Sequence, residues 1–286
     1  ICELGINHGG SLLIAKKMVK IAKINGAEAI KNQNHILDEE MTNEAKKVIP
    51  TNTKKSIYKV IEENLMSFED EKKLKKYVEA EGMIYLSTPF SLKSAIRLNN
   101  IGVKAFKIGS GECNNYHFVK YLCKFKIPII MSTGMNSISS IRKTVNIILR
   151  NKIPLALMHC TNIYPTPSNL VRLDCIRQLK QAFPQCVVGL SDHTENNYTS
   201  YGAIALGANI IERHYVDTKK RKGPDVSSSM DFNDLKSLIK GSKEIFFARG
   251  GKKTPLKEEK KTIKFAFPSV VSLIDIYPGT KLSENN

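Results

Sequence analysis

The sequence predicts an α/β protein in which eight parallel strands close into a barrel, and three observations lead to this fold class. Short apolar runs bounded by turn residues recur along the chain, with helical patterns in the gaps. Every run ends in a polar residue, in the order Glu3, Lys31, Thr88, Ser110, Ser132, Asn162, Ser191 and His214. Apart from one gap of 57 residues, these positions lie 22 to 30 residues apart, the length of one strand–helix unit. Eight such units in a row predict a (β/α)8 TIM barrel.

The strands can be followed in order from their sequences. The first, "ICELG", opens the chain at its polar end, and the others read "GAEAIKNQ", "GMIYLSTP", "GVKAFKIGS", "IPIIMSTG", "IPLALMHCTN", "CVVGLSDH" and "GANIIERHY". Between the first two, "SLLIAKKMVKIAKING" has apolar residues three to four apart, a Ser11 that can cap the helix, and a stop at Gly26. The stretch "SFEDEKKLKKYVEAEG" repeats this helical pattern and ends at Gly82.

One gap is longer than a single helix requires. Residues 34 to 80 hold "EEMTNEAKKVIP" and "SIYKVIEEN", and we predict that this excursion folds over the mouth of the barrel as a lid. An excursion with a purely structural role is the alternative. A doubly wound open sheet would also alternate strands and helices, but it normally carries a glycine-rich phosphate loop after its first strand. Because "GINHGG" lacks the G-x-G-x-x-G spacing, we prefer the barrel.

The composition narrows the class of protein. No apolar stretch is long enough to span a membrane, and the six cysteines are scattered without a C-x-x-C pair. These features indicate a cytoplasmic protein with reduced thiols, rather than a disulfide framework or a zinc site. The net charge of +17 could favour nucleic acid, yet the lysines are spread over helix faces and there is no tryptophan. We therefore expect no nucleic-acid or membrane partner, while the charge is compatible with a small anionic substrate.

The carboxyl ends of eight parallel strands open on one face of a barrel, where active sites lie. Two ammonium groups and four hydroxyls converge there, from Lys31, Lys107, Thr88, Ser110, Ser132 and Ser191. Lysines and short hydroxyls are what a phosphate or carboxylate needs, because such ligands offer acceptor oxygens and negative charge. A single serine would more often cap a strand end, but six such groups on one rim predict an anion site.

Two histidines end neighbouring strands, His193 the seventh and His214 the eighth. Their imidazoles could bind one divalent metal, with water or substrate in the remaining positions. A hydrogen-bonded pair in the core is the alternative. Because there are only two of them, the histidines argue against tightly held zinc, which usually takes three or four protein ligands.

Four acidic residues complete the candidate site. Glu3, at the end of the first strand, could act as a general base or pair with a lysine. Glu112 and Glu212 are further carboxylates whose simplest role is to neutralise lysine. Asp225, in "GPDVSSSM" after the eighth strand, is placed to bind a polyhydroxy ligand, with an ordinary Gly-Pro turn as the alternative.

Many of these segments resemble the sialic acid synthase family, almost colinearly from residue 2 to about residue 273. The segments are "ELGINHGGSLLIAKKM", "YLSTPFS", "FKIGSGECNNY", "STGMNSI", "HCTNIYPTP", "VGLSDHT", "ERHYVD", "GPDVSSSM" and "ARGGKK". The resemblance implies a transferase that condenses phosphoenolpyruvate with the open-chain form of N-acetylmannosamine, giving N-acetylneuraminate and phosphate. It also implies a domain-swapped homodimer.

In this family the barrel is followed by a small antifreeze-protein-like (SAF) domain. The stretch "FAFPSVVSLIDIYPGTKLSENN" resembles the beginning of that domain. The resemblance therefore divides the chain into a barrel at residues 1–250, a linker at 251–270 and an incomplete antifreeze-like domain at 271–286.

The resemblance also assigns residues position by position. His193 and His214 match the ligands of a divalent metal, with manganese first and magnesium or cobalt as alternatives. The catalytic residues are Glu3, Lys31 and Lys107. The phosphoenolpyruvate site matches Lys31, Thr88, Lys107, Ser110, Ser132, Asn162 and Ser191. The sugar site matches Gln33, Asn52, Tyr164, Asp225 and Phe265.

In the mechanism that the resemblance implies, the metal acts as a Lewis acid on the sugar aldehyde. The enol carbon of phosphoenolpyruvate attacks that aldehyde, and water captures the cation-like centre before phosphate departs. Lys31 and Lys107 offset the negative charge throughout. We assign the activation of the water to Glu3.

The chain departs from the family where it reads "KNQNH", since the family commonly has "KHQTH". Asn32 and Asn34 are expected near the sugar pocket, so the acceptor could instead be another 2-acetamido or diacetamido sugar, of the legionaminic or pseudaminic acid type.

A synthase acting on a sugar phosphate is a rival that would need extra cationic residues at the outer pocket. A metal-dependent barrel hydrolase would normally show more metal ligands, and a nucleic-acid-binding protein is suggested by charge alone.

Overall fold

The structure is a computed structural model that describes residues 1–50 and 53–286. The chain forms two compact units, Ile1–Ala248 and Arg249–Asn286. The strands, all in the first unit, are β1 Cys2–Glu3, β2 Ala29–Asn34, β3 Ile84–Pro89, β4 Phe106–Ile108, β5 Ile129–Ser132, β6 Leu155–Cys160, β7 Val187–Asp192 and β8 Ile210–His214. Each strand is parallel to the next, and β1 also pairs with β8, so the sheet closes. The predicted (β/α)8 barrel is confirmed.

Helices fill the spaces between the strands. In chain order they are α1 Leu12–Ile24, α2 Leu37–Glu40, α3 Ile57–Asn64, α4 Phe68–Ala80, α5 Leu92–Asn100, α6 Tyr116–Leu122, α7 Ile138–Arg150, α8 Cys175–Ala182, α9 Tyr198–Ala205, α10 Phe232–Ala248 and α11 Lys260–Ala266. Helices α1 and α4 to α9 connect successive strands, and α10 follows β8. Helices α2 and α3 belong to the excursion between β2 and α4.

The first helix shows how the sequence sets these elements. The Ser11 hydroxyl accepts a hydrogen bond from the Ile14 amide and so caps the N-terminus of α1. The buried face of α1 has the spacing of an amphipathic helix and consists of Ala15, Met18, Val19 and Ala22. The helix stops before Gly26, whose φ of +87° is a left-handed conformation that a side chain would disfavour. Ser67 and Gly82 have the same functions at the two ends of α4.

The register of the sheet places polar residues side by side inside the barrel. Glu3 lies opposite Lys31 on β2 and opposite His214 on β8. Ser191 lies opposite Glu212 in the same way. Because side chains alternate along a strand, residues two positions away also face the interior, and the intervening residues face the helices.

The loop after β1 carries a buried histidine that the predicted site does not use. His8 is 3% exposed, and its Nδ1 accepts a hydrogen bond from the Gly10 amide. Its Nε2 must then donate to Asn32 Oδ1, 3.2 Å away. Burial lowers the pKa of His8 from 6.5 to about 4, against the smaller raising effects of hydrogen bonds with Asn32 and Gly5.

We expect His8 to make the barrel less stable as the pH falls. Because the folded-state pKa is below the unfolded value, the unfolded chain takes up the proton first, and stability declines from pH 6.5 towards about 4. At about pH 5 the free energy of unfolding should have lost about 2 kcal/mol through this residue. His8→Gln, which is uncharged at every pH, should lack that loss. Urea unfolding of both proteins at about pH 7.5 and about pH 5 measures it, and equal losses would contradict the prediction.

The second unit contains α11 and, among its described residues, no strand. The predicted antifreeze-like domain at 271–286 is therefore not shown, and the predicted linker at 251–270 includes α11. The barrel unit ends at Ala248, close to the predicted boundary at residue 250. Across the described ranges, no helix combines the length and the apolar character that a bilayer span requires.

Candidate active site

A cavity of about 370 Å³ opens at the carboxyl ends of the strands. It is lined by Ile6, Gln33, His35, Glu40, Met41, Pro50, Thr53, Ile57, Val60, Ile61, Phe90, Glu112, Tyr164, His214, Pro224 and Asp225. The excursion between β2 and α4, predicted as a lid, forms one wall of this mouth. Loops after β1, β3, β4, β6 and β8 supply most of the remaining lining.

Two lysines and two glutamates form a buried cluster inside the barrel. Lys31 Nζ lies 2.8 Å from Glu3 Oε2 and 4.0 Å from Glu212 Oε1. Lys107 Nζ lies 3.4 Å from the same Glu212 oxygen. None of the four side chains is more than 6% exposed. We call these four residues the charge cluster, in which cationic and acidic groups are equal in number.

The charge cluster sets the ionisation of its members. Burial raises the pKa of Glu212, but Lys107 and Lys31 outweigh burial and hold this pKa at about 2. Burial lowers the pKa of Lys31, but Glu212 and Glu3 outweigh it, so the pKa is raised. For Lys107 burial prevails and the pKa is lowered, because Glu212 is its one close carboxylate and Lys31 repels its charge. Lys107 has one carboxylate within 4.0 Å where Lys31 has two, which leaves it more charge to share with an anionic ligand.

Hydroxyl groups surround the two lysines. Lys107 Nζ donates to Ser132 Oγ at 2.6 Å, and Lys31 Nζ donates to Thr88 Oγ1 at 3.4 Å. Because both hydroxyls accept from lysine, their own hydrogens remain available to the oxygens of an anion. The structure thus brings four residues of the predicted phosphoenolpyruvate site together.

The other predicted anion-site residues lie on β7 and in the loops after β4 and β6. Ser191 Oγ donates to Glu212 Oε1 at 3.0 Å, and Ser110 Oγ accepts from the Gly134 amide at 3.1 Å. A Cβ at position 134 would lie 1.9 Å from Asn162 Oδ1 and 2.9 Å from Ser110 Oγ. Only glycine therefore allows these two side chains to approach. Gly134 is a site residue that the sequence analysis missed, and the "STG" after the fifth strand is its only signal.

The two histidines form a second group at the mouth, with ring centroids 5.6 Å apart. His193 Nδ1 lies 2.9 Å from the Thr161 carbonyl oxygen, so it donates there, and in a neutral ring Nε2 is left free. His214 Nδ1 is buried without a hydrogen-bond partner, 3.7 Å from Asp225 Oδ2. Free ring nitrogens of neutral imidazoles fit a divalent cation. Among the described residues, no group of three or more His, Cys, Asp or Glu is arranged to hold an ion.

The chain after β7 is held so that His193 takes this place. Asp192 faces away from the barrel interior and accepts three hydrogen bonds from the loop and helix that follow. Its partners are the amide of Thr194 and the hydroxyls of Thr199 and Ser200. Arg213, 1% exposed, donates from its guanidinium to the carbonyl oxygens of Thr194 and Asn196. Neither Asp192 nor Arg213 was predicted, and both act on the site through the backbone.

The predicted sugar-site residues divide into two sets. Those that line the cavity are Gln33, Tyr164 and Asp225. The Tyr164 ring stacks on His193 with centroids 4.1 Å apart, which joins the sugar side to the histidine pair. Of the other two, Asn52 lies outside the described residues, and Phe265 belongs to the second unit, on α11.

The prediction that Asn32 and Asn34 lie near the sugar pocket is wrong. Both are buried, and neither lines the cavity. Asn32 accepts a hydrogen bond from His8, and Asn34 donates to Glu71 on α4. The reason is the alternation of side chains along β2, which turns these two positions towards the helices. The departure from the family's usual sequence therefore gives no direct information on the acceptor.

Comparison with known proteins identifies relatives along the whole chain. A family model described as the NeuB family matches residues 18–254. The N,N'-diacetyllegionaminic acid synthase of Campylobacter jejuni subsp. jejuni is 36% identical over 302 residues, covering 100% of this chain and 88% of that protein. The pseudaminic acid synthase of the same organism is 33% identical over 291 residues, covering 100% of this chain and 84% of that protein.

The fold of this chain is also similar to that of a solved structure. It is the N-acetylneuraminic acid (sialic acid) synthetase of Leptospira borgpetersenii serovar Hardjo-bovis, in complex with citrate. That structure superposes on this chain with a TM-score of 0.84 at 28% sequence identity. The superposition covers 92% of this chain and 89% of the other.

Proposed function

Because the chain belongs to the NeuB family, we propose that it condenses phosphoenolpyruvate with the open-chain aldehyde of a diacetamido sugar and releases phosphate. The family predicted from the sequence motifs is confirmed, and membership makes the chain a phosphoenolpyruvate-dependent synthase of nonulosonic acids. The diacetamido acceptor is the proposal, and it replaces the N-acetylmannosamine expected from the sequence. The proposal rests on the charged and apolar residues that line the cavity.

The cavity carries no lysine or arginine among its described lining residues. It carries the carboxylates of Glu112 and Asp225 instead, and Glu40 is already held by His35. A sugar phosphate would bring its negative charge towards Glu112 and Asp225 without a lysine or arginine of this lining to pair with, which disfavours it. The hydroxyls of an uncharged sugar can instead donate to carboxylates. The sugar-phosphate acceptor considered from the sequence is therefore not the one proposed.

The same cavity has an apolar wall, drawn mostly from the excursion. Its members are Ile6, Met41, Pro50, Ile57, Val60, Ile61 and Phe90. Such a wall can cover the methyl of an acetamido group, and a diacetamido sugar has a second methyl where N-acetylmannosamine has a hydroxyl. Covering one such carbon contributes about 0.8 kcal/mol, or about fourfold in binding. A relative whose named product carries two N-acetyl groups supports the same class of acceptor.

Phosphoenolpyruvate would bind at the lysines of the charge cluster. Lys31 and Lys107 can pair with its carboxylate and phosphate, and the hydroxyls of Thr88 and Ser132 can donate to its oxygens. These groups are already fixed by their contacts with one another, which is the preorganised arrangement that stabilises developing charge.

The bond changes can be assigned to groups of this chain. The methylene carbon of phosphoenolpyruvate forms a bond to the aldehyde carbon, whose oxygen takes up a proton. Water then adds to the phosphoenolpyruvate carbon that bears the phosphate and loses one proton. The bond from that carbon to the phosphate oxygen breaks as the second proton leaves, which gives a keto group and free phosphate. We assign Glu3, which contacts Lys31 and Gln33, to take the proton of that water. His193 and His214 would hold a divalent cation, which supplies Lewis-acid polarisation of the aldehyde oxygen when bound. Manganese as this ion, and a domain-swapped homodimer, stay predictions from the resemblance.

Phosphate release should depend on both phosphoenolpyruvate and an amino sugar. We expect kcat/KM for a diacetamido hexose to exceed that for N-acetylmannosamine by about fourfold or more, because one more methyl is covered. The phosphate ester of N-acetylmannosamine should be the poorest of the three, since the described lining offers it no lysine or arginine. A coupled phosphate assay with each acceptor over a concentration series measures the order.

Val60→Thr is a matched test of the wall, because it replaces one methyl with a hydroxyl of similar size. It should reduce the preference for the diacetamido sugar and leave the KM for phosphoenolpyruvate unchanged. A chain that releases phosphate fastest with the sugar phosphate, or equally fast with no sugar, would overturn the proposed function.

A further inference from the structure

A buried histidine links the wall of the cavity to the charge cluster. The side chain of His35 is 7% exposed, and its ring stacks on Phe90 with centroids 4.2 Å and planes 12° apart. His35 Nδ1 lies 2.7 Å from Glu40 Oε2, and Nε2 lies 3.1 Å from Gln33 Oε1. Gln33 Nε2 in turn donates to Glu3 Oε1 at 3.0 Å. We call this continuous row of Glu40, His35, Gln33 and Glu3 the relay.

The direction of each hydrogen bond in the relay follows from its two ends. Glu3 pairs with Lys31 and, as a carboxylate, only accepts, so Gln33 must turn its NH2 group towards Glu3. The Gln33 carbonyl oxygen then faces His35 and can only accept, so His35 Nε2 must carry a proton. A second proton must lie between His35 Nδ1 and Glu40 Oε2, because two lone pairs at 2.7 Å would repel. The His35 and Glu40 pair must hold both protons for Gln33 to keep this orientation.

We propose that His35 and Glu40 are positioning residues, which fix the Gln33 amide so that it donates to Glu3. Glu40 is itself fixed, because its other oxygen accepts from the Ile36 backbone amide. Without the pair, the amide can rotate and place its carbonyl oxygen against the carboxylate, which would turn Glu3 away from the water that it deprotonates. Because Glu40 and His35 line the cavity, the relay also connects the acceptor wall to the catalytic carboxylate. This inference rests on the proposed function.

Two variants break the relay at different points without emptying its volume. Glu40→Met keeps most of the volume of the side chain and removes both oxygens that hold His35 and the Ile36 amide, while His35→Phe keeps the stack on Phe90 and removes both ring nitrogens. Each should lower kcat at least about tenfold, since a misplaced catalytic group is costly. The KM for phosphoenolpyruvate should change less than about threefold, because neither residue touches the donor site. As both act through one amide, the double variant should be no slower than the slower single variant.

A control and a partial rescue accompany these variants. Glu39→Met makes the same change on the same helix, but Glu39 pairs with Lys93 at the surface and should leave kcat unchanged. His35→Gln should recover part of the kcat lost in His35→Phe, because its amide nitrogen can take the place of Nε2 and donate to Gln33. Equal losses in Glu39→Met and Glu40→Met would overturn the proposal.

A measurement that needs no turnover separates this proposal from the proposed function. Long-range proton–nitrogen NMR of protein labelled at its six histidines, with His35→Phe to assign the signal, reports whether His35 Nε2 carries a proton. We expect a protonated Nε2 in the wild type and, in Glu40→Met, the loss of the second proton that Nδ1 shares with Glu40. An unprotonated Nε2 in the wild type, or wild-type kcat in both Glu40→Met and His35→Phe, would overturn the relay. A wild type with a protonated Nε2 that releases no phosphate with any acceptor would instead overturn the proposed function.

Discussion

Removal of divalent metal should abolish turnover, and added manganese should restore it. The reason is that His214 Nδ1 has no hydrogen-bond partner, and His193 Nε2 is left free when Nδ1 donates to Thr161. Dialysis against a chelator, with elemental analysis to show that the metal is gone, followed by the phosphate assay, tests this. Full activity in a sample shown to be free of metal would contradict the assignment.

His214→Ala should cause the same loss by removing one of the two imidazoles. It should also lower the amount of manganese bound per chain in a calorimetric titration, while circular dichroism stays unchanged. His117→Ala is the matched control, because His117 is an exposed histidine on α6 and should leave both quantities as they are. If His214→Ala turns over like the wild type, the ion binds elsewhere.

Lys107→Met should weaken phosphoenolpyruvate binding. It removes a charge-assisted contact worth about 1.5–3 kcal/mol, so the Kd measured by calorimetry should rise at least about tenfold. Binding of the acceptor should change far less, because Lys107 does not line the cavity proposed for the sugar. An unchanged donor titration would show that Lys107 serves only to neutralise Glu212.

The same substitution should also destabilise the fold. Glu212 would stay buried and lose its nearer cation, and breaking a buried ion pair in this way costs about 3–5 kcal/mol. The double variant Lys107→Met with Glu212→Gln removes the stranded charge. It should regain much of the free energy of unfolding in urea but not the donor affinity. Normal donor binding in the double variant would contradict the role given to Lys107.

The residues that the sequence analysis found depend on strand order and alternation. Glu3, Lys31 and His214 are neighbours because parallel strands in register put their inward positions side by side, and this can be read from repeated strand patterns. The sequence also suggests that Glu212 neutralises a lysine. Its distances to Lys31 and Lys107 agree with that role.

The error at β2 has a physical cause. The repeated strand pattern predicts the strand end at Lys31, but the strand continues to Asn34. Alternation then turns Asn32 and Asn34 towards the helices, which a correct strand end would have predicted. The relay could not be predicted in this way. His35 contacts Glu40 because of how the chain turns between β2 and α2, and no periodic pattern encodes that turn. The contact of Gly134 with its neighbours likewise depends on distances between loops that no spacing encodes.

The charge cluster also constrains how this barrel can change under selection. Replacing a buried ion pair with well-packed apolar side chains is often neutral or stabilising, by about 1–4 kcal/mol. Selection for heat resistance alone would therefore favour apolar residues at Lys31, Lys107 and Glu212, and the resulting enzyme would be robust but inert. Lineages that keep the activity have to find heat resistance elsewhere, in loops, helix ends and surface charges. The centre of the barrel is thus where thermal adaptation and catalysis impose opposite demands on the same positions.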